Sequence, residues 1–231
     1  MNLTTTGELA NASGLKCIIY GNPGCGKTPL VTTASNVLYV AVERGQVSLQ
    51  GTNVPAVEAY DLPSFYQFIE WMDKSEEAKQ YSTFFIDSVS RFCSLVLDEE
   101  LAKKSKSGEK VNGQAAYGEM AKRVLKMFHL FNNMKNRSIV MLAQSDTKPE
   151  QARPYFEGNE IDTKIPHLFD GVFHLGNHDI PERGLTYSLQ MRETSQHFAR
   201  CRFNAAADYE AANLDYLINK LLTNGDNNGS N

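Results

Sequence analysis

The residues best suited to chemistry lie in one glycine-rich stretch near the start of the chain. The stretch has a glycine, four further residues, and then glycine, lysine and threonine in succession. Glycine accepts positive φ at no steric cost, so the backbone of such a loop can turn several N–H groups toward one anion. The spacing therefore predicts a P-loop, which binds the phosphates of a nucleotide. The predicted nucleotide-binding residues are Gly21, Asn22, Pro23, Gly24, Cys25, Gly26, Lys27 and Thr28.

The segments on either side of this loop favour a P-loop over a chance glycine-rich turn. Residues 16–20 form a short apolar run that is typical of a buried strand. The residues after the loop can form a helix, whose N-terminus favours an anion. Lys27 is expected to reach the β- and γ-phosphates of ATP, and the Thr28 hydroxyl to ligate Mg²⁺. Pro29 lacks an N–H group, so we expect one fewer donor to the α-phosphate and weaker nucleotide binding.

Two acidic residues end further apolar runs and could act on a bound nucleotide. Ligands of an open α/β sheet bind beyond the carboxyl ends of its strands. Asp87 ends one such run and can hold Mg²⁺, although aspartate is also a favoured helix N-cap. Glu43 ends another run and is the candidate general base for the attacking water, with a surface salt bridge as the alternative.

Three more polar residues are candidates for a role in hydrolysis. Gln144 follows the apolar residues 138–143. It could sense the γ-phosphate and signal to the loop that follows, or it could be only a polar strand end. Arg200 and Arg202 are two residues apart on a predicted strand, which places both side chains on one face. That face could simply be exposed, or the pair could supply positive charge to the nucleotide of an adjacent subunit.

The elements that would position these residues alternate between strand and helix over the first two thirds of the chain. This alternation predicts an α/β fold with a mostly parallel central sheet and flanking helices. Residues 186–191 and 197–203 are predicted to form a C-terminal antiparallel hairpin, and residues 209–222 an amphipathic helix. We expect a single domain over residues 1–231, with a loose N-terminal arm at 1–14 and a disordered tail at 223–231.

Composition describes an ordinary globular chain. The 231 residues are 42% hydrophobic and 22% charged. No apolar run approaches the roughly 18 residues of a membrane helix, and residues 1–15 lack the pattern of a signal peptide. A cytoplasmic protein without membrane contact is therefore expected. The four cysteines are widely spaced and form no Cys/His metal pattern, which predicts reduced thiols.

Positive charge is concentrated in one part of an otherwise acidic chain. The net charge is −4, yet residues 103–126 hold seven basic and two acidic residues, a local net charge of +5. This segment could be a phosphate-binding loop or a solvated helix end, and composition leaves both open.

The order of these features resembles the RecA/RadA recombinase core. A P-loop is followed by a glutamate after the second strand, by Asp87 after the next buried strand, and by a basic segment with a long helix. Gln144 with its long loop and the basic strand near the end complete the pattern over residues 15–205. In length the chain is most similar to the phage members that consist of the core alone, the Sak4-type single-strand annealing proteins.

The resemblance implies an ATP- and Mg²⁺-dependent phage recombination protein. It would bind single-stranded DNA and assemble as a homo-oligomeric ring or filament with the ATP site between subunits, alongside a single-strand binding protein. Glu43 would be the catalytic glutamate, Gln144 the nucleotide sensor, and Arg200 and Arg202 the contacts to ATP across the interface. The implied DNA-binding residues are Lys103, Lys104, Lys106, Lys110, Lys148 and Arg153.

Two other functions fit the same motifs. A P-loop ATPase could serve as a helicase loader, a packaging protein or a regulatory switch with no DNA contact of its own. The chain could also be a structural module that binds a nucleotide without hydrolysing it.

Overall fold

A ten-stranded sheet forms the centre of the described part of the chain. The computed structural model describes residues 14–106, 113–146, 150–158 and 167–223, together with residues 3, 5, 161 and 164. The sheet order is β10-β8-β7-β1-β5-β4-β2-β3, with β6 paired to β5 and β9 paired to β7. The strands are β1 (Lys16–Gly21), β2 (Val37–Ala41), β3 (Ala56–Glu58), β4 (Thr83–Asp87), β5 (Ser138–Asp146), β6 (Arg153–Tyr155), β7 (Gly171–Ile180), β8 (Gly184–Gln190), β9 (Arg200–Cys201) and β10 (Tyr209–Ala211).

Helices cover both faces of this sheet. The α-helices are α1 (Leu62–Lys74), α2 (Val89–Lys106), α3 (Gly113–Asn133) and α4 (Leu214–Thr223), and short 3₁₀ helices lie at Thr28–Thr33, Gln46–Leu49 and Glu77–Gln80. One core packs the buried side chains of α1, α2 and α3 against the sheet. A second core packs α4 and the 3₁₀ helix at Thr28–Thr33 against the other face. The central strands are covered on both sides, which explains their nearly continuous apolar sequences.

The predicted α/β fold class is confirmed. Strands β7, β1, β5, β4, β2 and β3 run parallel, while the later strands pair antiparallel at the C-terminal side. Helix α1 shows how local sequence sets an element. The Asp61 side chain accepts a hydrogen bond from the Ser64 N–H at 2.8 Å, and Pro63 lies in the first turn. Phe65, Phe68 and Met72 then recur at helical spacing and are buried.

The prediction that residues 186–191 and 197–203 pair with each other in a hairpin is wrong. β8 forms its hairpin with β7, from His174 opposite Gln190 to Ile180 opposite Gly184. The short β9 also pairs with β7, where Val172 lies opposite Arg200. Residues 209–211, predicted as the start of a helix, form β10 on the edge of β8. The pairing is favoured because β8 would otherwise leave unpaired backbone groups along that edge.

Some expectations fall outside the described residues. They concern most of the predicted loose arm at 1–14, the tail from residue 224 onward, and the implied DNA-binding residues Lys110 and Lys148. Among the described residues, no helix combines the length and the apolar character that crossing a bilayer requires. All four cysteines lie in the described ranges and are free thiols, as predicted.

Candidate functional site

The glycine-rich loop leaves β1 at Gly21 and has an open backbone. Gly24 and Gly26 adopt φ of 77° and 90°, a region that side chains with a Cβ disfavour. A Cβ added at Gly24 would meet no atom within 4 Å, so the loop leaves room for a ligand there. A Cβ at Gly26 would lie 2.4 Å from the Tyr187 hydroxyl, so any larger residue there would have to displace that tyrosine. The backbone therefore has the form of a phosphate cradle.

The residues after the loop hold it against the sheet. The helix predicted after the loop is a 3₁₀ helix, Thr28–Thr33, with Pro29 in its first turn. Leu30 and Val31 are buried in the core beneath it. The Thr33 hydroxyl accepts a hydrogen bond from the N–H of Leu214, the first residue of α4, at 2.8 Å. The loop is thus anchored at its C-terminal side, while Gly24 is exposed.

Lys27 contacts the loop's own carbonyl groups. Its Nζ donates to the Gly21 carbonyl oxygen at 2.7 Å and to the Asn22 carbonyl oxygen at 3.0 Å. An ammonium group has three donors on a flexible stem. Lys27 can therefore exchange these carbonyl contacts for phosphate oxygens without movement of the backbone.

Asp87 is buried at the end of β4 and meets the loop directly. Its Oδ2 accepts hydrogen bonds from Thr28 Oγ1 at 2.7 Å and from Tyr39 Oη at 2.9 Å. Burial raises the pKa of this carboxyl group, while the Thr28 and Tyr39 hydrogen bonds lower it. A buried carboxylate beside a hydroxyl provides the oxygen ligands that Mg²⁺ prefers.

Glu43 lies one strand away from Asp87 at the same edge of the sheet. The N–H groups of Val42 and Glu43 donate to the Asp87 carbonyl oxygen at 2.7 and 3.3 Å. Glu43 is half-buried, and its pKa is raised first by burial and then by the charge of Asp87. A carboxylate with a raised pKa is a better proton acceptor than an exposed one.

Gln144 lies on the other side of Asp87, next to the loop. It is opposite Gly21 in the pairing of β1 with β5, and its side chain is exposed. Its N–H donates to Ser90 Oγ at 3.0 Å, and that hydroxyl donates to the Tyr155 carbonyl oxygen at 2.7 Å. The structure thus brings Glu43, Asp87 and Gln144 to the carboxyl edge that holds the loop.

Sequence reasoning missed two tyrosines at this site. Tyr39 is a buried donor to Asp87, and Tyr187 Oη donates to the Gly26 carbonyl oxygen at 3.3 Å. The only signal for Tyr39 was a hydroxyl group within an otherwise apolar strand, since a buried tyrosine O–H usually has a partner. Tyr187 reaches the loop only because β8 pairs with β7. The sequence around Tyr187 does not indicate that pairing.

The structure places Arg200 and Arg202 away from the loop of their own chain. Arg200 lies opposite Val172 near the start of β7, and the parallel β1 begins at the same edge. Arg202 forms an ion pair with Asp170 at 3.6 Å and donates to the His167 carbonyl oxygen. Action on the nucleotide of a neighbouring subunit therefore stays a prediction for both.

Of the predicted DNA-binding residues, the structure describes the side chains of Lys103 and Arg153. Lys103 Nζ forms ion pairs with Glu99 and Glu100 at 2.9 and 3.0 Å. Arg153 is exposed on β6 and lies over the Phe198 ring, 5.1 Å from its centre. Lys110, Lys148 and the side chains of Lys104 and Lys106 lie outside the described residues.

The residues present fit ATP and Mg²⁺. The open glycine backbone and Lys27 would hold the phosphates, and the oxygens of Thr28 and Asp87 would hold the cation. Both oxygens already lie 2.7 Å apart, so the donor set is assembled in advance.

Comparisons with known proteins give one family match. A family model described as "AAA domain" matches residues 13–203. No curated protein shows significant similarity to the chain. Among solved structures, the flagellar accessory protein FlaH from Methanocaldococcus jannaschii aligns over 80% of both chains with 12% identity and a TM-score of 0.40.

Proposed function

The chain belongs to the AAA domain family, and we propose that it hydrolyses ATP with Mg²⁺ and acts on single-stranded DNA. The specific role proposed is phage recombination through annealing or strand exchange. One observation carries the nucleotide-dependent part: the 2.7 Å hydrogen bond from Thr28 to Asp87, which joins the glycine-rich loop to an acidic strand end.

The chain's own residues supply most of what phosphoryl transfer needs. When bound, MgATP brings the phosphoryl group and a cation that neutralises its charge. Lys27 would exchange its two carbonyl contacts for the terminal phosphates. Glu43 would orient the attacking water and accept its proton, so that ADP and phosphate are the products. Tyr39 keeps the Asp87 carboxylate in place through a 2.9 Å hydrogen bond.

The pairing of β5 with β1 and β6 supports the finer proposal. Gln144 lies opposite Gly21 of the loop on one side and opposite Tyr155 of β6 on the other. Two residues further along β5, Asp146 lies opposite Arg153 of β6 in the strand pairing, and Arg153 is exposed. A hydrogen bond between Gln144 and the γ-phosphate would therefore act on the strand that carries a cation suited to the DNA backbone.

A second function is favoured by the ion pairs of Lys103. Because Glu99 and Glu100 already balance its charge, Lys103 contributes little net positive potential to a phosphate backbone. This observation suits a P-loop ATPase that loads a helicase, serves packaging or switches a protein partner.

The experiment that decides between them is ATP turnover by the full chain with and without single-stranded DNA. We expect Mg²⁺-dependent turnover that DNA stimulates, with stimulation reduced by Arg153→Ala. Lys135→Ala is the control, since Lys135 is an exposed cation near the start of β5, at the opposite edge. Turnover that DNA leaves unchanged would favour the protein-partner function, and absence of turnover would reject the ATPase.

A further inference from the structure

Three of the five histidines meet in one place that the proposed reaction does not use. His174 and His178 lie on β7, and His197 lies between β8 and β9. Taking one ring nitrogen from each histidine, the three nitrogens all lie within 4.8 Å of one another. His174 and His178 are buried and His197 is half-buried. We propose that these three side chains bind a divalent first-row transition metal ion of the Zn²⁺ class.

The strand geometry explains how two of these ligands share a face. Side chains alternate along a strand, so residues four apart project on the same side. His174 Nδ1 and His178 Nε2 lie 2.8 Å apart, which is a hydrogen-bond distance. A tetrahedral site with bonds of about 2.0–2.1 Å needs its nitrogens roughly 3.3 Å apart, so the two rings would separate by about 0.5 Å.

The surroundings of His178 present the correct nitrogen to the metal. Ser188 Oγ donates its hydrogen to the Thr186 carbonyl oxygen at 3.2 Å, so it can accept from His178 Nδ1 at 2.8 Å. The Nε2 of His178 then carries the lone pair that faces His174. Such an outer hydrogen bond fixes the tautomer of most metal-binding histidines. On metal binding, His174 would carry its hydrogen on Nε2, leaving a lone pair on Nδ1.

His197 is the ligand that must move. Its ring is stacked on that of His174, with centres 3.7 Å apart and planes 14° from parallel. Metal–nitrogen bonds lie in the ring plane, so His197 must turn out of this stack to complete the site. The backbone of His197 is held by a β-bridge to Ala152, so the movement is a rotation of the side chain, which is half-buried where the two on β7 are buried.

The metal would connect β7 to segments that support the P-loop strand. The residues flanking His197 form two hydrogen bonds with Ala152, each at 2.9 Å. The Ala152 N–H donates to the Gln196 carbonyl oxygen, and the Phe198 N–H donates to the Ala152 carbonyl oxygen. The hydroxyl of Tyr20, directly before the loop, shares its one hydrogen between the carbonyl oxygens of Ala152 and Phe198, which lie 2.9 and 2.6 Å away. With three nitrogen ligands, water or a further donor would complete a tetrahedral site.

The test uses Zn²⁺ and Co²⁺ with the full chain in the absence of nucleotide. We expect one tightly bound Zn²⁺ per chain by equilibrium dialysis, and intense visible absorption from tetrahedral Co²⁺. His197→Ala should weaken Zn²⁺ binding by about 10-fold or more, since even outer-shell changes cost 10–100-fold. His129→Ala is the control, because His129 is exposed on α3.

His197→Cys keeps the test decisive if the alanine variant folds poorly. A thiolate at this position should retain the metal and add a sulfur-to-cobalt absorption band in the near ultraviolet. Wild-type binding no tighter than that of a His174→Ala/His197→Ala double variant would overturn the proposal. A Co²⁺ spectrum typical of six oxygen ligands would overturn it as well, and would leave the histidines as a hydrogen-bonded aromatic cluster.

Discussion

Thr28 and Asp87 are 59 positions apart in the sequence, yet the hydroxyl of one donates a 2.7 Å hydrogen bond to the carboxylate of the other. The contact joins a glycine-rich loop to the end of a buried strand. Both oxygens belong to the hard donors that bind Mg²⁺, so one cation could replace the hydrogen between them. The fold therefore places the loop and the acid side by side.

Glu43→Gln should slow ATP hydrolysis while leaving ATP binding intact. The amide preserves the shape of the side chain but cannot accept a proton from water, which predicts a loss of about 10²–10⁴-fold in kcat. Because the pKa of Glu43 is raised by burial, wild-type turnover should also fall as pH drops toward the ordinary glutamate value of 4.5. Glu58→Gln is the control, an exposed carboxylate on the neighbouring β3. Equal loss in both variants would rule out a specific role for Glu43.

Tyr39→Phe should destabilise the protein through Asp87. The change removes a 2.9 Å hydrogen bond to a buried carboxylate but keeps the ring against Phe85. Hydrogen bonds to charged groups contribute about 1.5–3 kcal/mol, so the free energy of unfolding in urea should fall by that amount. Tyr216→Phe, on the exposed side of α4, should change it by less than about 0.5 kcal/mol. Similar values for the two variants would contradict the assigned contact.

Much of the site could be predicted because parallel strands end at a common edge. An apolar run followed by an acid or amide was enough to place Glu43, Asp87 and Gln144 around the loop. That rule requires only that the strands run parallel, and the alternation of strands and helices predicts parallel strands. The catalytic and sensing roles of these residues stay predictions, and Glu43→Gln and Asp87→Asn test two of them.

What escaped prediction depends on antiparallel pairing between distant residues. The run 176–180 contains Gly, Asn and Asp, which are depleted in strands, so no local pattern indicates that β7 continues past residue 175. Its pairing with β8 extends it to Ile180 and places His178 on the same face as His174. His197 comes from a third segment, so no local spacing could mark the three histidines as one cluster.

Pro29→Thr should strengthen nucleotide binding. The proline is in the first turn after the loop and has no N–H to offer a phosphate. One restored hydrogen bond of about 0.5–1.5 kcal/mol corresponds to roughly a 2–10-fold gain in affinity by calorimetry. Pro63→Thr, an exposed proline in the first turn of α1, should leave nucleotide affinity unchanged. No gain at position 29 would show that its missing donor does not limit binding.

Lys16 should make stability rise with pH in alkaline solution. Burial lowers the pKa of Lys16 from 10.5 to about 8, and the negative charge of Asp170 only partly offsets this by raising it. Between these two values the unfolded chain keeps a proton that the folded chain releases. The unfolded state therefore binds more protons, and the free energy of unfolding increases with pH.

Lys16→Met removes this contribution and provides the comparison. From pH 8 to pH 10.5, the wild type should gain about 1–3 kcal/mol relative to the variant in urea unfolding. The buried Cys17 thiol, whose pKa is raised by burial, is present in both proteins and largely cancels. Lys135→Met serves as the exposed control. Parallel pH dependence in the wild type and Lys16→Met would show that Lys16 keeps its proton when folded.

The most direct test of the Mg²⁺ and phosphate site is steady-state ATP turnover by the wild type and by Asp87→Asn, each with Mg²⁺ and with EDTA. Metal coordination at a phosphoryl group is worth several kcal/mol, so we predict Mg²⁺-dependent wild-type turnover and a loss of about 100-fold or more in Asp87→Asn. Circular dichroism should show that both proteins are folded. Equal turnover in the two proteins, or wild-type turnover that EDTA does not reduce, would contradict a Mg²⁺ site built on Thr28 and Asp87.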